Sequence, residues 1–447
     1  MRVTFYGACR EVTGSNILIE TDGRKILLDC GFYQGYNLSE KRNYSLFPYK
    51  PDSVDFVIVG HAHLDHTGRL PKLVRDGFKG RIFATAPTKE LTELVLEDSQ
   101  KLIEEESRRD NHPPLYNNQD VRGVLELFEV IPYEETLEIS PGVKLTLKNA
   151  GHILGSAVTI LEASGKRLVY TSDLGNTPSM LLEPPKFIDF ADYVICESTY
   201  GGKEHEEPSR RGEKLSQVIN ATIATSGVLL IPSFAVERTQ ELLHDIEDFC
   251  TINKCEKPTF FLDSPLATKV TNVFRKYPEF INQKVRLLHQ DNNFFGLERL
   301  KITLTQEESQ TIDEAPEPKV IIAGSGMMNG GRILYHAQKY LGDPKNTILF
   351  AGYQAAGTIG RRILDGEKEV RIYGKKVHIR AGIESIRSYS SHADLPQLVN
   401  WLSKMKNVHK VFLVHGEIEQ QSSLAKSIKQ KMAIEAVIPR QEESYEL

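Results

Sequence analysis

Asp55-Phe-Val-Ile-Val-Gly60-His61-Ala62-His63-Leu64-Asp65-His66 sets three imidazoles and a carboxylate into six positions directly behind an apolar run. The run Phe56 to Val59 is short, β-branched and bounded by glycine, which predicts a buried strand. The polar cluster then sits just past a strand end, where a rigid sheet holds a loop in place. Imidazole and carboxylate together suit zinc, manganese or iron. One divalent ion seldom takes four ligands from so short a loop; two ions sharing a cluster do.

The chain has 447 residues, beyond the span of a single core, so two or three structural units are expected. Its hydrophobic content of 40% and charged content of 26% are those of a globular protein. No apolar run reaches transmembrane length, so no membrane partner is expected. Met1-Arg-Val-Thr-Phe-Tyr6 enters strand-like alternation rather than the apolar core of a signal peptide. Cys9, Cys30, Cys196, Cys250 and Cys255 are scattered and odd in number, which predicts a reducing, cytoplasmic setting and plain buried thiols. The net charge of −5 argues against nonspecific coating of nucleic acid but leaves room for a local basic groove.

Outward from the opening cluster, Lys25 to Asp29 reads as a strand ending in an acid. Lys89 to Arg109 carries apolar positions at helical spacing, and Asn111 to Asn118, with His112, reads as a loop. Val143 to Leu147, Ser156 to Glu162 and Arg167 to Tyr170 read as strands. The character changes after Gly202. A charged stretch, Lys203 to Arg211, leads into strands alternating with helices: Val228 to Ser233, Thr259 to Asp263, Val320 to Gly324 and Thr347 to Ala351. That alternation predicts a parallel sheet in an α/β unit. Asp313 to Pro318 reads as an exposed loop.

Further polar residues follow apolar strands in the same way: His152, Asp173, Glu197 and His415. Open α/β sheets gather their sites at that edge. A lone histidine there is usually structural; the coincidence with His61 to His66 is what points to a site. His61, His63 and His152 suffice for one ion and Asp65, His66 and His415 for a second, with Asp173 bridging. Two such ions turn a shared water into hydroxide near neutral pH and clamp a phosphoryl oxygen. Asp29 is expected to orient a ligand histidine or the cluster loop.

Val59-Gly-His-Ala-His-Leu-Asp-His-Thr-Gly-Arg-Leu-Pro71 resembles the signature of the metallo-β-lactamase superfamily. Glu197-Ser-Thr-Tyr-Gly201, Ser390-Ser-His392-Ala-Asp394 and Val414-His415-Gly-Glu417 resemble motifs A, B and C of its β-CASP branch. Ser233 to Gln240, Asp263 to Leu266, Gly324 to Met327 and Gly352 to Gly360 are similar to segments of β-CASP ribonucleases related to the cleavage and polyadenylation endonuclease subunit. The resemblance implies an α/β protein: an αββα sandwich, residues 1–202 and 379–447, interrupted by a β-CASP domain with a parallel sheet, 203–378. It implies two Zn2+ ions, with Mn2+ as the alternative, single-stranded RNA as substrate and a homodimer. His at position 415 favours RNA over DNA.

The implied reaction is phosphodiester hydrolysis by a metal-bridging hydroxide, leaving a 5′-phosphate and a 3′-hydroxyl, in endonuclease or 5′→3′ exonuclease mode. The implied catalytic residues are Asp29 and Asp65 at the metals and His392 as general acid, oriented by Glu197. Ser233, Phe234, Ala235, Ser325, Ser388, Ser390 and Ser391 are expected, with His392, to hold substrate phosphates. Arg238, Arg332, Arg361 and Arg362 are expected along the strand-tracking groove. Two departures stand out. Gly60 replaces the Thr or Ser that relatives usually carry before the first histidine; loss of that hydroxyl can loosen the ligand's support but removes no ligand. The chain also ends soon after motif C, so RNA selection is expected from the two domains or a partner. A small-molecule hydrolase on the same core and an inactive RNA-binding scaffold also fit the histidine cluster; neither needs motifs A and B together with a full ligand set.

Overall fold

The alternation of inward and outward apolar residues in the first two hundred positions is resolved by two sheets lying face to face. The computed structural model describes residues 1–34, 41–206, 210–253, 258–288, 294–296, 299–355 and 357–447. It divides into a first unit, 1–204 with 391–447, and a second unit, 205–390.

In the first unit, one seven-stranded sheet runs in the order Glu443–Glu446, Arg2–Phe5, Ile17–Thr21, Arg24–Leu28, Phe56–Ile58, Arg81–Ala84, Phe128–Val130. The other runs Ala436–Val437, Lys410–Val414, Tyr193–Glu197, Lys166–Tyr170, Ala157–Ala163, Val143–Asn149, Thr136–Ser140. Period-two patterning decides which face each side chain takes. Ile17, Ile19, Ile26 and Leu28 meet Leu145, Leu161, Leu168, Ile195 and Phe412 between the sheets. Leu18 and Leu27 turn outward beneath helices, as do Val158, Ile160, Val169, Val194 and Leu413 on the other sheet. Phe5 and Phe412 tie the sheets together with ring centroids 5.2 Å apart. Removing either ring would cost about 3–5 kcal/mol.

Helices cover both outer faces. Ala86–Asp110 starts on Thr85, whose hydroxyl accepts from the Thr88 N–H, with Pro87 in the first turn, and stops where Asn111 turns left-handed at φ 53°. It packs Leu96 outside the first sheet, while Leu395–Leu402 and Ile418–Met432 cover the second through Leu398, Leu402, Leu424 and Ile428. This is the expected αββα sandwich.

The second unit carries an all-parallel six-stranded sheet, Leu300–Ile302, Thr259–Asp263, Lys319–Ala323, Val228–Pro232, Thr347–Phe350, Gly382–Ser385. Its inner strands Thr259–Asp263, Lys319–Ala323 and Val228–Pro232 are buried on both faces, as helices in the crossovers demand. Sequence reasoning put the return to the sandwich at 379. The chain stays in the second unit to Ser390, because Gly382–Ser385 pairs in parallel with Thr347–Phe350. A hairpin, Glu369–Ile372 with Lys375–His378, lies beside this sheet in sequence and packs Val370, Ile372 and Val377 into the unit's core. Of the stretch expected as an exposed loop, Asp313 and Glu314 close the 3-10 turn Ile312–Glu314, and Ala315 to Pro318 form the loop. Cys9, Cys30, Cys196 and Cys250 are free thiols; burial pushes Cys9 and Cys30 up to about 12, so neither is a nucleophile. Cys255 lies outside the described residues. No described helix is long and apolar enough to cross a membrane.

Candidate metal centre

Six strand ends of the first unit converge. Asp29 follows Arg24–Leu28, His61 follows Phe56–Ile58, His152 follows Val143–Asn149, Asp173 follows Lys166–Tyr170, Glu197 closes Tyr193–Glu197 and His415 follows Lys410–Val414. Asp29, Ser172 and His415 leave their strands with positive φ, at 59°, 49° and 50°. Such backbone persists only where the surroundings over-determine it, and it gathers at functional sites.

The loop that carries the histidines is pinned through its backbone. Ser15, Cys30 and Phe32 donate their N–H groups to the carbonyls of Asp65, His66 and Leu64 at 2.8–2.9 Å. Gly31 allows this approach, since a Cβ there would lie 1.5 Å from the Asp65 carbonyl oxygen. His63 stands at the N-cap of the single turn Leu64–Thr67, which aims Asp65 and His66 at the same point.

Two ligand sets result. One ligand atom each from His61, His63, His152 and Asp173 lies within 4.8 Å of the others, and the same holds for Asp65, His66 and His415. His63 Nδ1 is 3.0 Å from His61 Nε2 and 3.3 Å from His152 Nε2; His66 and His415 face each other Nε2 to Nε2 at 3.2 Å. A tetrahedral zinc with bonds of about 2.0–2.1 Å separates its ligand atoms by about 3.3–3.4 Å, so these spacings fit. Asp173 divides its oxygens. Oδ2 is 3.5 and 3.6 Å from His61 and His152 Nε2, and Oδ1 is 3.4 Å from His66 Nε2. Oδ1 is buried and accepts no hydrogen bond.

The outer nitrogens fix which way the lone pairs point. His66 Nδ1–H donates to Asp29 Oδ2 at 2.7 Å and His152 Nδ1–H to the Ser391 carbonyl at 3.1 Å. Ser172 Oγ is 3.1 Å from His61 Nδ1, and Thr199 Oγ1 is 3.1 Å from His415 Nδ1. With their protons outward, His66 and His152 turn lone pairs inward, which is how a protein presents imidazole to a metal. Burial holds His61 and His152 well below the ordinary imidazole range and His63 at about 4, so all three are neutral ligands. Burial opposes charge on Asp65 and Asp173, yet the surrounding imidazoles hold both low, Asp65 at about 2. Burial also opposes a charged His66, but Asp173, Asp29 and Asp65 outweigh it and raise that ring. Among the described residues, no lysine or arginine pairs with Asp29, Asp65, Asp173 or Glu197; histidines are their ion-pair partners. Buried carboxylates without a cation are costly, and this donor set fits divalent metal.

Beside the clusters, Glu197 is fully buried. Its Oε1 accepts from the Leu174 N–H at 2.9 Å and lies 3.1 Å from His392 Nδ1; its Oε2 accepts from the Thr199 N–H. The His392 side chain keeps 21% exposure where Glu197 and Asp173 have almost none. Burial lowers its basicity, but Glu197 and Asp173 outweigh that and carry it up to about 9.

Comparison with known proteins gives this arrangement a lineage. Residues 10–211 match the description Metallo-beta-lactamase superfamily, 239–363 match Beta-Casp domain, and 376–439 match Zn-dependent metallo-hydrolase RNA specificity domain. Ribonuclease TTHA0252 of Thermus thermophilus is 38% identical over 427 residues, 95% of each chain. The chain belongs to the β-CASP branch of the metallo-β-lactamase superfamily. Transcription termination factor FttA of Pyrococcus abyssi is 34% identical over 465 residues, 98% of this chain and 70% of that one. A crystal structure titled a protein of unknown function from Enterococcus faecalis aligns over 100% of this chain with a TM-score of 0.56 at 10% identity, which speaks to the fold alone. As a β-CASP protein the chain is a metal-dependent hydrolase.

The β-CASP motifs bring Asp29, His61, His63, Asp65, His66, His152, Asp173, Glu197, His392 and His415 to one place. Ser391 contributes its carbonyl to His152 and the Asn176 N–H. Ser233, Phe234, Ala235, Ser325, Ser388 and Ser390 belong to the second unit. There the Ser233 hydroxyl meets Thr239 Oγ1 at 3.0 Å and the Ser325 hydroxyl accepts from the Asn329 N–H, so both tie their own turns, while Phe234 is 38% exposed. The four arginines expected along the groove are engaged by carboxylates: Arg238 by Glu241, Arg332 by Asp263, Arg361 by Asp365 and Arg362 by Glu367. At Gly60, where relatives usually carry a hydroxyl, another residue supplies one. Ser172 Oγ occupies the space where a Cβ at position 60 would lie, 2.2 Å from it, and supports His61 instead. Sequence reasoning missed Ser172, Thr199 and Tyr170. The first two adjoin recognised motif residues; Tyr170 lies on the inward face of its strand, where a hydroxyl signals a buried partner, here Asp29 Oδ2 at 2.6 Å.

Proposed function

We propose that this β-CASP protein hydrolyses phosphodiester bonds of single-stranded RNA with two zinc ions, Mn2+ being the alternative, and leaves a 5′-phosphate and a 3′-hydroxyl. His61, His63 and His152 would hold one ion, Asp65, His66 and His415 the other, with one oxygen of Asp173 toward each. Bound there, the ions would make water nucleophilic near neutral pH and offset charge on the phosphoryl oxygens.

The remaining work belongs to the chain. Glu197 keeps His392 protonated and turns its Nδ1–H inward, so Nε2–H is the proton given to the departing 3′-oxygen. Asp29, Ser172, Thr199 and the Ser391 carbonyl hold the ligand rings so that no reorganisation is needed at the moment of reaction. Asp173 carries the proposal: its two oxygens face two separate histidine sets, one of them buried without a hydrogen bond. The names of the relatives, one a ribonuclease, support RNA as the substrate, as does His at position 415. A cytoplasmic homodimer, checked by mass in solution, belongs to the same reading.

Metal content and cleavage of labelled single-stranded RNA, measured for the wild type and His63→Ala, test it. The expected wild type carries about two metals per chain and cleaves, and the variant loses metal and cleavage together. Undiminished cleavage by a metal-free variant overturns the proposal.

A further inference from the structure

The hairpin of the second unit presents its apolar side chains to the core and gathers cations on the side that remains. A cavity of about 780 Å³ opens there, lined by Lys339, Lys368, Lys375, Lys376, His378 and Arg380 among others; among the described residues its wall holds no carboxylate and, besides the His378 imidazole, no aromatic ring. Lys376 pairs with Glu369 at 2.9 Å and Lys339 with Asp313 at 2.7 Å. Lys368, Lys375 and Arg380 make no ion pair among the described residues. In a chain with a net charge of −5, this is a local concentration of one sign inside a concavity, where field lines are focused. Mutual repulsion opposes the arrangement unless an anion offsets it.

The wall chooses among anions. It offers ammonium and guanidinium donors from five side chains against a single ring, the His378 imidazole, which lies 3.5 Å from Glu369, so charge rather than stacking dominates the wall. Its volume lies within the range of ligand sites, about 300–1,000 Å³, and exceeds what one phosphate fills. The arginines expected to track the substrate are spent on carboxylates, whereas Lys368, Lys375 and Arg380 make no ion pair among the described residues. We infer that this cavity is a second, sequence-independent contact for the RNA backbone, taking consecutive phosphates outside the metal centre. The inference rests on the ribonuclease reading above.

The test compares the wild type with Lys368→Gln/Lys375→Gln/Arg380→Gln in binding a phosphorothioate-linked twelve-nucleotide RNA across a salt series. Losing about three phosphate contacts flattens the slope of log affinity against log salt by about 2 and weakens binding at 0.1 M salt by about tenfold or more. The charge-keeping Lys368→Arg/Lys375→Arg variant retains wild-type binding, and matching melting temperatures for all three proteins exclude misfolding. An unchanged slope in the triple variant, with wild-type RNA cleavage intact, overturns the inference and leaves the function standing. A triple variant that still binds the RNA but loses affinity for a polyglutamate peptide overturns it in favour of an acidic protein partner. A wild type that neither binds nor cleaves RNA overturns both.

Discussion

Replacing Asp29 with Asn keeps the size of the side chain and turns half of an acceptor into a donor. Asp29 is fully buried; its Oδ1 accepts the Gly60 N–H at 2.8 Å, and its Oδ2 accepts from both His66 Nδ1–H, at 2.7 Å, and the Tyr170 hydroxyl, at 2.6 Å. If the amide keeps its oxygen toward Gly60, its NH2 faces two donors, each worth about 1–3 kcal/mol when left unpaired in the interior. His66 escapes by moving its proton to Nε2, the atom that faces His415 and Asp173. That closes the lone pair which serves the second ligand set. Loss of such an orienting partner lowers metal affinity by about 10–100-fold, or about 1.4–2.8 kcal/mol. Competition against a chromophoric zinc chelator measures it, with melting curves in EDTA reporting folding separately. Tyr170→Phe, which leaves the His66 contact, should lose much less. An Asp29→Asn protein that melts like the wild type and binds zinc within twofold of it would refute the reasoning.

Three further outcomes follow from the same geometry. Gly60→Thr should collide with Ser172, weaken metal binding and lower the melting temperature, and adding Ser172→Gly should restore both, because position 172 has a left-handed φ that glycine favours; failure of the double variant to recover counts against it. His392→Ala should retain both metals and lose about 10²–10⁴ of the rate on RNA, with a smaller loss on a phosphodiester carrying a nitrophenolate leaving group; equal losses on both substrates would speak against proton donation. In the second unit, burial alone would raise Asp263, but His336, Ser309, Thr303 and Arg332 donate to it and hold it down at about 2. A depressed carboxyl stabilises the fold above its unfolded value near 4, so about 2 kcal/mol should be present at neutral pH and lost as pH falls from about 4 through about 2. The urea midpoints of wild type and Asp263→Asn should therefore converge in acid; a constant gap would be the contrary result.

The parts of this protein legible in its sequence are those written in local pattern. A β-branched run followed by His61 to His66 carries its own strand and its own ligands, and period-two alternation separates Leu18 and Leu27 from Ile17, Ile19, Ile26 and Leu28. His392 and His415 lie more than three hundred positions away, and only the motifs around them bring them to the first cluster. What stayed hidden depends on which strand lies beside which. Ser172 supports His61 because Lys166–Tyr170 and Phe56–Ile58 end at the same edge of the two sheets, a fact carried by no spacing. The edge strand Glu443–Glu446 is polar but for Tyr445, and it takes its place by pairing with Arg2–Phe5 while Tyr445 lies against Phe412. The ion pairs of the arginines went unread for a different reason: Asp365 stands four residues after Arg361, at the C-cap of the helix Ile359–Leu364, a pairing that spacing already offers.

The most direct measurement is the fate of oxygen during cleavage. The protein is incubated with internally labelled RNA in water enriched in 18O, and the new ends are analysed by mass. Hydrolysis at phosphorus predicts one 18O on each new 5′-phosphate and unlabelled 3′-hydroxyls, all of it abolished with the metal by His63→Ala. New ends bearing a 2′,3′-cyclic phosphate and a 5′-hydroxyl, or cleavage that survives loss of the metal, would contradict the account.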